Sequence, residues 1–188
     1  VYKRQVDRAL GVGTLRRFEG KLHFPANRRS NISHLRCTYI RHAEAGPNSS
    51  DHARPLTSAG AESAVGLGVK LQSLFGTPDL IFSSDAKRAH HTAELLDLGQ
   101  VSIGPGLYLG SADSLSLFTQ GMPQAEHVVI VAHNPGLTEL LWRYAPHCSI
   151  LNPASGFQLI WEADDWLLTG VEPPSGWRQF SASGESNS

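Results

Sequence analysis

The sequence predicts an α/β fold: a single-domain, three-layer sandwich with a mostly parallel central sheet and helices on both faces. Three observations carry this reading. Beyond Leu35, short β-branched runs alternate with longer helical ones, the pattern of strands joined by crossover helices. Val128–Ala132 is apolar throughout, as a central strand covered on both faces must be. No stretch approaches the roughly 20 consecutive apolar residues of a membrane-spanning helix, so the apolar segments are expected to pack on one another.

Cys37–Ile40 reads as the first strand and leads straight into Arg41-His42. After Arg54-Pro55-Leu56 a first helix opens with Thr57 or Ser58 as cap and sets Ala61, Val65, Gly68, Leu71 and Phe75 on one stripe. Asp79–Phe82, behind Pro78, is the second strand. A second helix starts near Ser84-Asp85, whose side chains suit free amides, and runs through Lys87-Arg88 to Leu98, where Gly99 stops it. Val101–Ile103 is bounded by Gly104 and Pro105 and forms the third strand; a third helix spans about Ala112–Gln120. Val128–Ala132 follows as the fourth strand. The fourth helix is expected to open at Asn134-Pro135, with Asn as N-cap and Pro in the first turn, and to bury Leu137, Leu140, Leu141 and Tyr144. Phe157–Trp161 and Trp166–Leu168, separated by Glu162–Asp165, read as a closing hairpin in which the tryptophans pack. The resulting organisation is a basic leader over 1–34, one domain over 35–171 and a tail over 172–188, marked by Pro173-Pro174-Ser175-Gly176 and a Ser-rich end.

The 188 residues hold 16 Lys+Arg against 17 Asp+Glu, a balance that conceals an asymmetry. Residues 1–36 carry nine basic and two acidic side chains, whereas the rest carries seven against fifteen, a formal charge of −8. An acidic body does not suggest a nucleic-acid partner. The leader lacks the continuous apolar core of a secretory signal; its composition suits disorder, with an Arg-rich targeting or nucleic-acid arm as the alternative. Cys37 and Cys148 form no C-x-x-C, which leaves no thioredoxin-type motif and no four-cysteine zinc site. A reducing, cytoplasmic compartment and a monomer without membrane or nucleic-acid partners are therefore expected.

In open α/β sheets the pocket lies outside the carboxyl ends of the strands, and two of those ends carry histidine. Arg41-His42 follows the first strand and His133 follows the fourth, so neighbouring parallel strands would bring both imidazoles into one crevice. The first strand must then stop at about Ile40 and turn, because successive strand residues point to opposite faces. Arg88, in the first turn of the second helix, and Arg54, on the loop after the first strand, belong to the same sheet edge. Three arginines, two histidines and the amides at Asn134-Pro135 would make an anion-hungry cleft in an acidic body, and a phosphate is the natural target. Taken singly, each residue has a plainer reading: His42 and His133 as satisfied histidines, Arg88 as a helix-surface partner of Asp85 or Glu94, Arg54 as a loop cation.

The motifs also occur together. Arg41-His42-Ala43-Glu44-Ala45, then Arg54-Pro55-Leu56-Thr57 with Gly60, then Ser84 with Arg88 and Thr92, then Val131-Ala132-His133-Asn134-Pro135 resemble, in order, the histidine phosphatase superfamily, which includes the phosphoglycerate mutases. Within it the compact form is similar to the SixA-type phosphohistidine phosphatases, over roughly Leu35–Leu168. The resemblance implies a metal-independent phosphatase without cofactor in which His42 is the nucleophile and is transiently phosphorylated, Arg41, Arg88 and His133 hold the phosphoryl group, and Arg54 is a further phosphate ligand. The residues agree: an imidazole attacks phosphorus only when neutral, and flanking guanidinium groups disfavour its protonation.

Two departures stand out. Arg-His-Gly of the larger family is Arg41-His42-Ala43 here, a small-for-small change. The segment where mutases and broad phosphatases of the family carry a glutamate general acid reads Leu107-Tyr108-Leu109-Gly110-Ser111-Ala112-Asp113, without a clear equivalent. Glu44 and Asp113 are both left as proton donors. A weak acid matters least when the leaving group departs easily, as imidazole does from phosphohistidine. With short loops and no lid, the expected substrate is a phosphorylated side chain on another protein, with a small phosphorylated molecule or a non-catalytic phosphate-binding module as alternatives. A metal hydrolase built on His42, Glu44, Asp51, His52 and His133 is the rival class; it lacks H-E-x-x-H, and arginines at the site would repel a cation. His90-His91 read as helix surface, and Thr92 as a buttress.

Overall fold

A computed structural model describes residues 34–185, so the leader expected over 1–34 lies outside the described residues except for His34. The strands are β1 (His34–Arg41), β2 (Leu80–Ser83), β3 (Val101–Ile103), β4 (His127–Ala132), β5 (Ser155–Glu162), β6 (Gly176–Ser181) and β7 (Gly184–Glu185). They form one sheet in the order β3-β2-β4-β1-β5-β6-β7. The half from β3 to β1 is parallel and the half from β5 to β7 antiparallel. Four helices complete the domain: α1 (Ser58–Phe75), α2 (Lys87–Leu95), α3 (Ala112–Gln120) and α4 (Gly136–Trp142).

The period of two along the strands separates two cores. Cys37, Tyr39, Val128, Ile130 and Ala132 face α3 and α4 through Leu115, Leu137 and Leu141. Ile40, Val129 and Val131 face α1 and α2 through Leu67, Leu71, Ala89 and Ala93. Every residue of β4 is buried, which is why its sequence shows no alternation.

On α1 the buried stripe is Gly60, Ala64, Leu67, Gly68, Leu71 and Phe75, so the expected stripe was rotated by about one residue and Val65 is left 48% exposed. The reason lies at the two glycines. A Cβ on Gly60 would stand 2.2 Å from the carbonyl oxygen of Glu44, and one on Gly68 2.1 Å from that of Leu96. Backbone contact at these points fixes which face of α1 turns inward.

Four further expectations are corrected. α4 begins at Gly136 with no side-chain cap, and Asn134 is instead tied to the following loop: Nδ2 donates to the Leu151 carbonyl, while Oδ1 accepts from the Thr138 hydroxyl. Trp166–Gly170 is a 3-10 turn rather than a hairpin strand. The strand that does pair with β5 is β6, within the expected tail; it reaches the sheet because Phe180 packs with Phe75 and the Lys70 ammonium donates to the Ser181 carbonyl. α2 stops at Leu95 rather than Leu98, where Asp97 takes a left-handed φ of 50°. Among the described residues no helix is long and apolar enough to cross a membrane.

Candidate active site

The site follows from the pairing of β1 with β4. Arg41 lies opposite Ala132 in a parallel register, and the amide of His42 donates to the Ala132 carbonyl at 3.1 Å, so the residues that leave the two strands are neighbours. β1 runs through Arg41, one residue beyond its expected end. The His42 and His133 rings lie 5.0 Å apart between centroids. The connection from β1 crosses to the face of α1 and that from β4 to the face of α4, so the crevice opens where the chain diverges.

A cavity of about 320 Å³ at this point is lined by Arg41, His42, Glu44, Arg54, Arg88 and His133, with Asn134 at its edge. All six residues singled out in the sequence thus meet at one place. Asp113 does not: it is exposed and pairs with Arg143 at 2.6 Å. His90 bonds to Ser83 and pairs with Glu94, on the helix side away from the cavity lining.

Hydrogen bonding assigns the tautomers. His42 Nδ1 is 2.7 Å from its neighbour's carbonyl, Ala43 O, and must donate its proton there. Nε2 then carries the lone pair, and accepts from Arg88 Nε at 3.1 Å. His133 shows the same arrangement reversed: Nε2–H donates to Ser84 Oγ at 2.9 Å, and Nδ1 receives Arg88 Nη2 at 3.4 Å. Both imidazoles are neutral. Burial above all, and then Arg88, Arg41 and Arg54, push the His42 pKa down to about 4 against the partial opposition of the Ala43 carbonyl. Burial, His42 and Arg88 take His133 to about 3.

Arg88 is 3% exposed and fully engaged. Beyond the two histidines, its Nη1 donates to the Asp51 carbonyl and its Nη2 to the Asp51 carboxylate at 3.0 Å. Its helix is tied to the His42 strand through Thr92, whose hydroxyl donates to the Arg88 carbonyl and accepts from the Ala43 amide. The surface-cation reading of Arg88, paired with Asp85 or Glu94, is therefore corrected. Arg41 donates from Nη1 to Leu151 O at 2.6 Å, while its Nε is buried without a partner among the described residues. A buried cationic N–H without a partner is a donor left to be satisfied by an anion or water. Arg54 is held by the carbonyls of Gly46 and Ala45 and by Asp51, and Glu44 accepts from the Thr57 hydroxyl.

Two residues of this site escaped sequence reasoning in this role. Asp51 gathers Arg88, Arg54 and the Tyr108 hydroxyl on one carboxylate. The Tyr108 hydrogen bond, then that of Arg88, holds its pKa down to about 2. Its position three residues before Arg54 was the available signal, and it was read only as a metal ligand. Tyr108 sits in the segment searched for a carboxylate; its ring stands edge-on to His133 with centroids 5.5 Å apart. The metal-centre grouping is not assembled: Asp51 faces arginines, His52 pairs with Asp85, and no cluster of three metal-binding side chains occurs among the described residues.

Residues 37–107 match the sequence model of the histidine phosphatase superfamily (branch 1), a stretch that runs from β1 through Arg41-His42, Arg54 and Arg88. The match covers well under half of the chain, and the likeness to the histidine phosphatase superfamily is carried by that stretch. Its fold is shared with solved SixA proteins. One from Nakamurella multipartitia, assigned as a phosphohistidine phosphatase, is 23% identical with a TM-score of 0.66, covering 75% of this chain and 92% of its own. Another so assigned, from Agrobacterium tumefaciens, is 21% identical with a TM-score of 0.61, covering 78% and 96%. A protein histidine phosphatase SixA complexed with tungstate is 20% identical with a TM-score of 0.63, covering 79% and 98%. No curated protein sequence matches the chain. The histidine pair stands just beyond the ends of β1 and β4, with Arg41 at the end of β1, Arg88 on α2 and Arg54 on the loop before α1, around one cavity.

Proposed function

We propose that the protein is a metal-independent histidine phosphatase that removes the phosphoryl group from phosphohistidine on another protein, through a phosphorylated His42. One observation carries the reading: His42, whose Nδ1–H is already committed to the Ala43 carbonyl and whose Nε2 carries the lone pair, lines a cavity together with the guanidinium groups of Arg41, Arg54 and Arg88. A neutral, oriented imidazole facing cationic donors is what phosphoryl transfer asks of a protein, since the chemistry is mostly positioning and charge neutralisation.

In the first step Nε2 attacks phosphorus, the new N–P bond forms, and the P–N bond to the substrate imidazole breaks with its electron pair going to the departing nitrogen. The Arg41 and Arg88 guanidinium groups and His133 Nδ1 are the donors for the transferred oxygens; for His133 to donate there it must shift its proton from Nε2, where Ser84 now receives it. Glu44, the carboxylate that lines the cavity, is the donor we assign to the leaving nitrogen when it departs unprotonated. Water then attacks the phosphorylated His42, breaks the N–P bond and leaves inorganic phosphate with the starting imidazole. The superfamily match and the tungstate-bound SixA, in which a tetrahedral oxyanion binds a protein of the same fold, support this reading. Among the described residues Glu44 is the sole carboxylate of the cavity lining, and so the one acid there in reach of a leaving group. The two free thiols, Cys37 and Cys148, fit a reducing, cytoplasmic setting.

The test is to quench a reaction with phosphohistidine-bearing protein and map the trapped label. The expected label sits on His42, is lost in acid, survives base and is absent from His42→Ala. Label on a serine, or hydrolysis that persists in His42→Ala, overturns the mechanism. Binding of the phosphorylated protein without release of phosphate would make the domain a phosphate-binding module.

A further inference from the structure

We propose that the groove beside the phosphoryl cavity is the subsite for the polypeptide that carries the phosphorylated side chain, and that it selects an apolar residue accompanied by Lys or Arg. The inference rests on the phosphatase reading for the phosphoryl group and adds what the enzyme recognises around it.

The groove encloses about 360 Å³ between Pro135, Thr138, Glu139 and Trp142 on one side and Ile150 on the other. That volume falls in the range of roughly 300–1,000 Å³ typical of built binding pockets. Asn134 lines both spaces, so an occupant of the groove lies directly beside the His42 cavity. Two large apolar side chains are left to water here, Trp142 at 40% and Ile150 at 62% exposure. Trp142 is not loose: its Nε1 donates to the Cys148 carbonyl at 2.8 Å, which presents the indole as a fixed wall.

The two spaces also share a frame. The Leu151 carbonyl accepts from Arg41 in the phosphoryl cavity and from Asn134 at the boundary, and the Leu151 amide donates to the Thr138 hydroxyl of the groove. Ile150 and Pro153, on either side of this anchor, face the groove and the cavity respectively. Filling the groove therefore bears on the element that aims Arg41.

Charge decides the occupant. Glu139 is exposed on the groove wall, and its carboxylate has neither hydrogen bond nor ion pair among the described residues. Arg143, one turn along, would neutralise it at the usual helical spacing but is paired with Asp113 instead. An apolar slot with one free carboxylate fits an aliphatic side chain with a neighbouring cation, and repels an acidic segment.

The test uses two fluorescein-labelled peptides with a central histidine, one flanked on both sides by Leu and Arg and one by Gly and Glu, on wild-type protein, Trp142→Ala and Glu139→Lys. Fluorescence anisotropy of the unphosphorylated peptides should show the Leu/Arg peptide bound on the order of tenfold more tightly by wild type, the size expected for one side chain entering an apolar pocket. Glu139→Lys should reverse the charge preference. With the peptides phosphorylated on histidine, the ratio of kcat/KM for the Leu/Arg peptide to kcat/KM for phosphoramidate should fall about tenfold in Trp142→Ala. Equal binding of the two peptides, or an unchanged ratio in Trp142→Ala, overturns the subsite. Failure of wild type to hydrolyse phosphoramidate and both phosphopeptides would instead strike the phosphatase reading, and the anisotropy comparison would still decide the groove.

Discussion

Arg88 Nε donates to His42 Nε2 across 3.1 Å, so the guanidinium that neutralises charge in the cavity also caps the proposed nucleophile's lone pair. The contact serves two ends. It forbids a proton on Nε2, because two donors cannot face each other, and it holds Arg88 within reach of any phosphoryl group that displaces it. Replacing Arg88 by Lys keeps the charge but loses the fork that bridges His42, His133 and Asp51. The expected cost is about 10²–10³ in kcat, as for loss of one preorganised donor. Steady-state kinetics of Arg88→Lys against wild type checks it.

The same contact sets a titration. Burial is the largest cause of the low His42 pKa and Arg88 only a lesser one. In Arg88→Met the His42 pKa should therefore rise but stay below 6.5, as read by NMR titration of the ring protons. In wild type the acid limb of kcat/KM, corrected for substrate ionisation, should fall near pH 4. A limb near pH 6.5 would mean that His42 is exposed to solvent.

Asp51 does not itself line the cavity, yet it fixes two residues that do, Arg88 by two groups and Arg54 by one. Asp51→Asn keeps the shape of the side chain but not its charge, while Asp51→Ala removes the carboxylate bonds to Arg88, Arg54 and Tyr108 and leaves the backbone carbonyl bond to Arg88. The losses in kcat should rank Ala above Asn, reaching on the order of 10²-fold in the Ala variant through misplaced Arg88. Inhibition by tungstate should weaken in parallel, and the thermal midpoint should fall more in the Ala variant than in the Asn variant, since the buried Arg88 guanidinium loses its carboxylate partner.

Much of this was legible in the sequence, and the boundary between what was and was not is physical. His42, His133, Arg41, Arg54, Arg88 and Glu44 sit next to strand ends or helix starts, where local pattern and topology together fix position, and all line one cavity. Asp51 and Tyr108 meet across 57 positions of chain in loops, and nothing local reports such a contact. Asn134 looked like an N-cap because Asn before Pro is a helix-start pattern; tertiary bonds to Leu151 and Thr138 outcompete it. β6 lay hidden behind Pro173-Pro174, since a strand that joins an antiparallel edge needs few apolar residues of its own.

Stability should fall as the solution is acidified below pH 6.5. His42, His127 and His133 all have folded pKa values near 3 to 4, below the ordinary 6.5, so the unfolded chain binds protons that the folded chain refuses. Stability is complete above pH 6.5 and is lost as pH falls toward 4, by about 1.4 kcal/mol per pH unit for each such group. His127 is the structural member: burial and then Arg36 depress it, and its Nε2 shares a hydrogen bond with the Thr38 hydroxyl. Urea unfolding at pH 7 and pH 5 should show the loss, reduced in His127→Gln. A flat profile would show that these imidazoles ionise freely in the fold.

The two close-contact glycines of α1 should separate stability from activity. At Gly68 a methyl group would run into the Leu96 carbonyl, between α1 and the end of α2, far from the cavity lining. At Gly60 it would run into Glu44, whose carbonyl also accepts from the Thr57 amide and whose side chain lines the cavity two residues beyond His42. Each Gly→Ala change should cost roughly 1–3 kcal/mol, because rigid backbone must move to admit the methyl. Gly68→Ala should leave kcat within about twofold at temperatures where it is folded, since no residue of the cavity needs to shift. Gly60→Ala should lower kcat as well, because displacing Glu44 displaces the turn that presents His42, and a misplacement of about 1 Å is enough to cost up to 10²-fold. Paired melting curves and kinetics on the two variants measure this directly, and equal kinetic losses in both would refute the coupling of α1 to the site through Glu44.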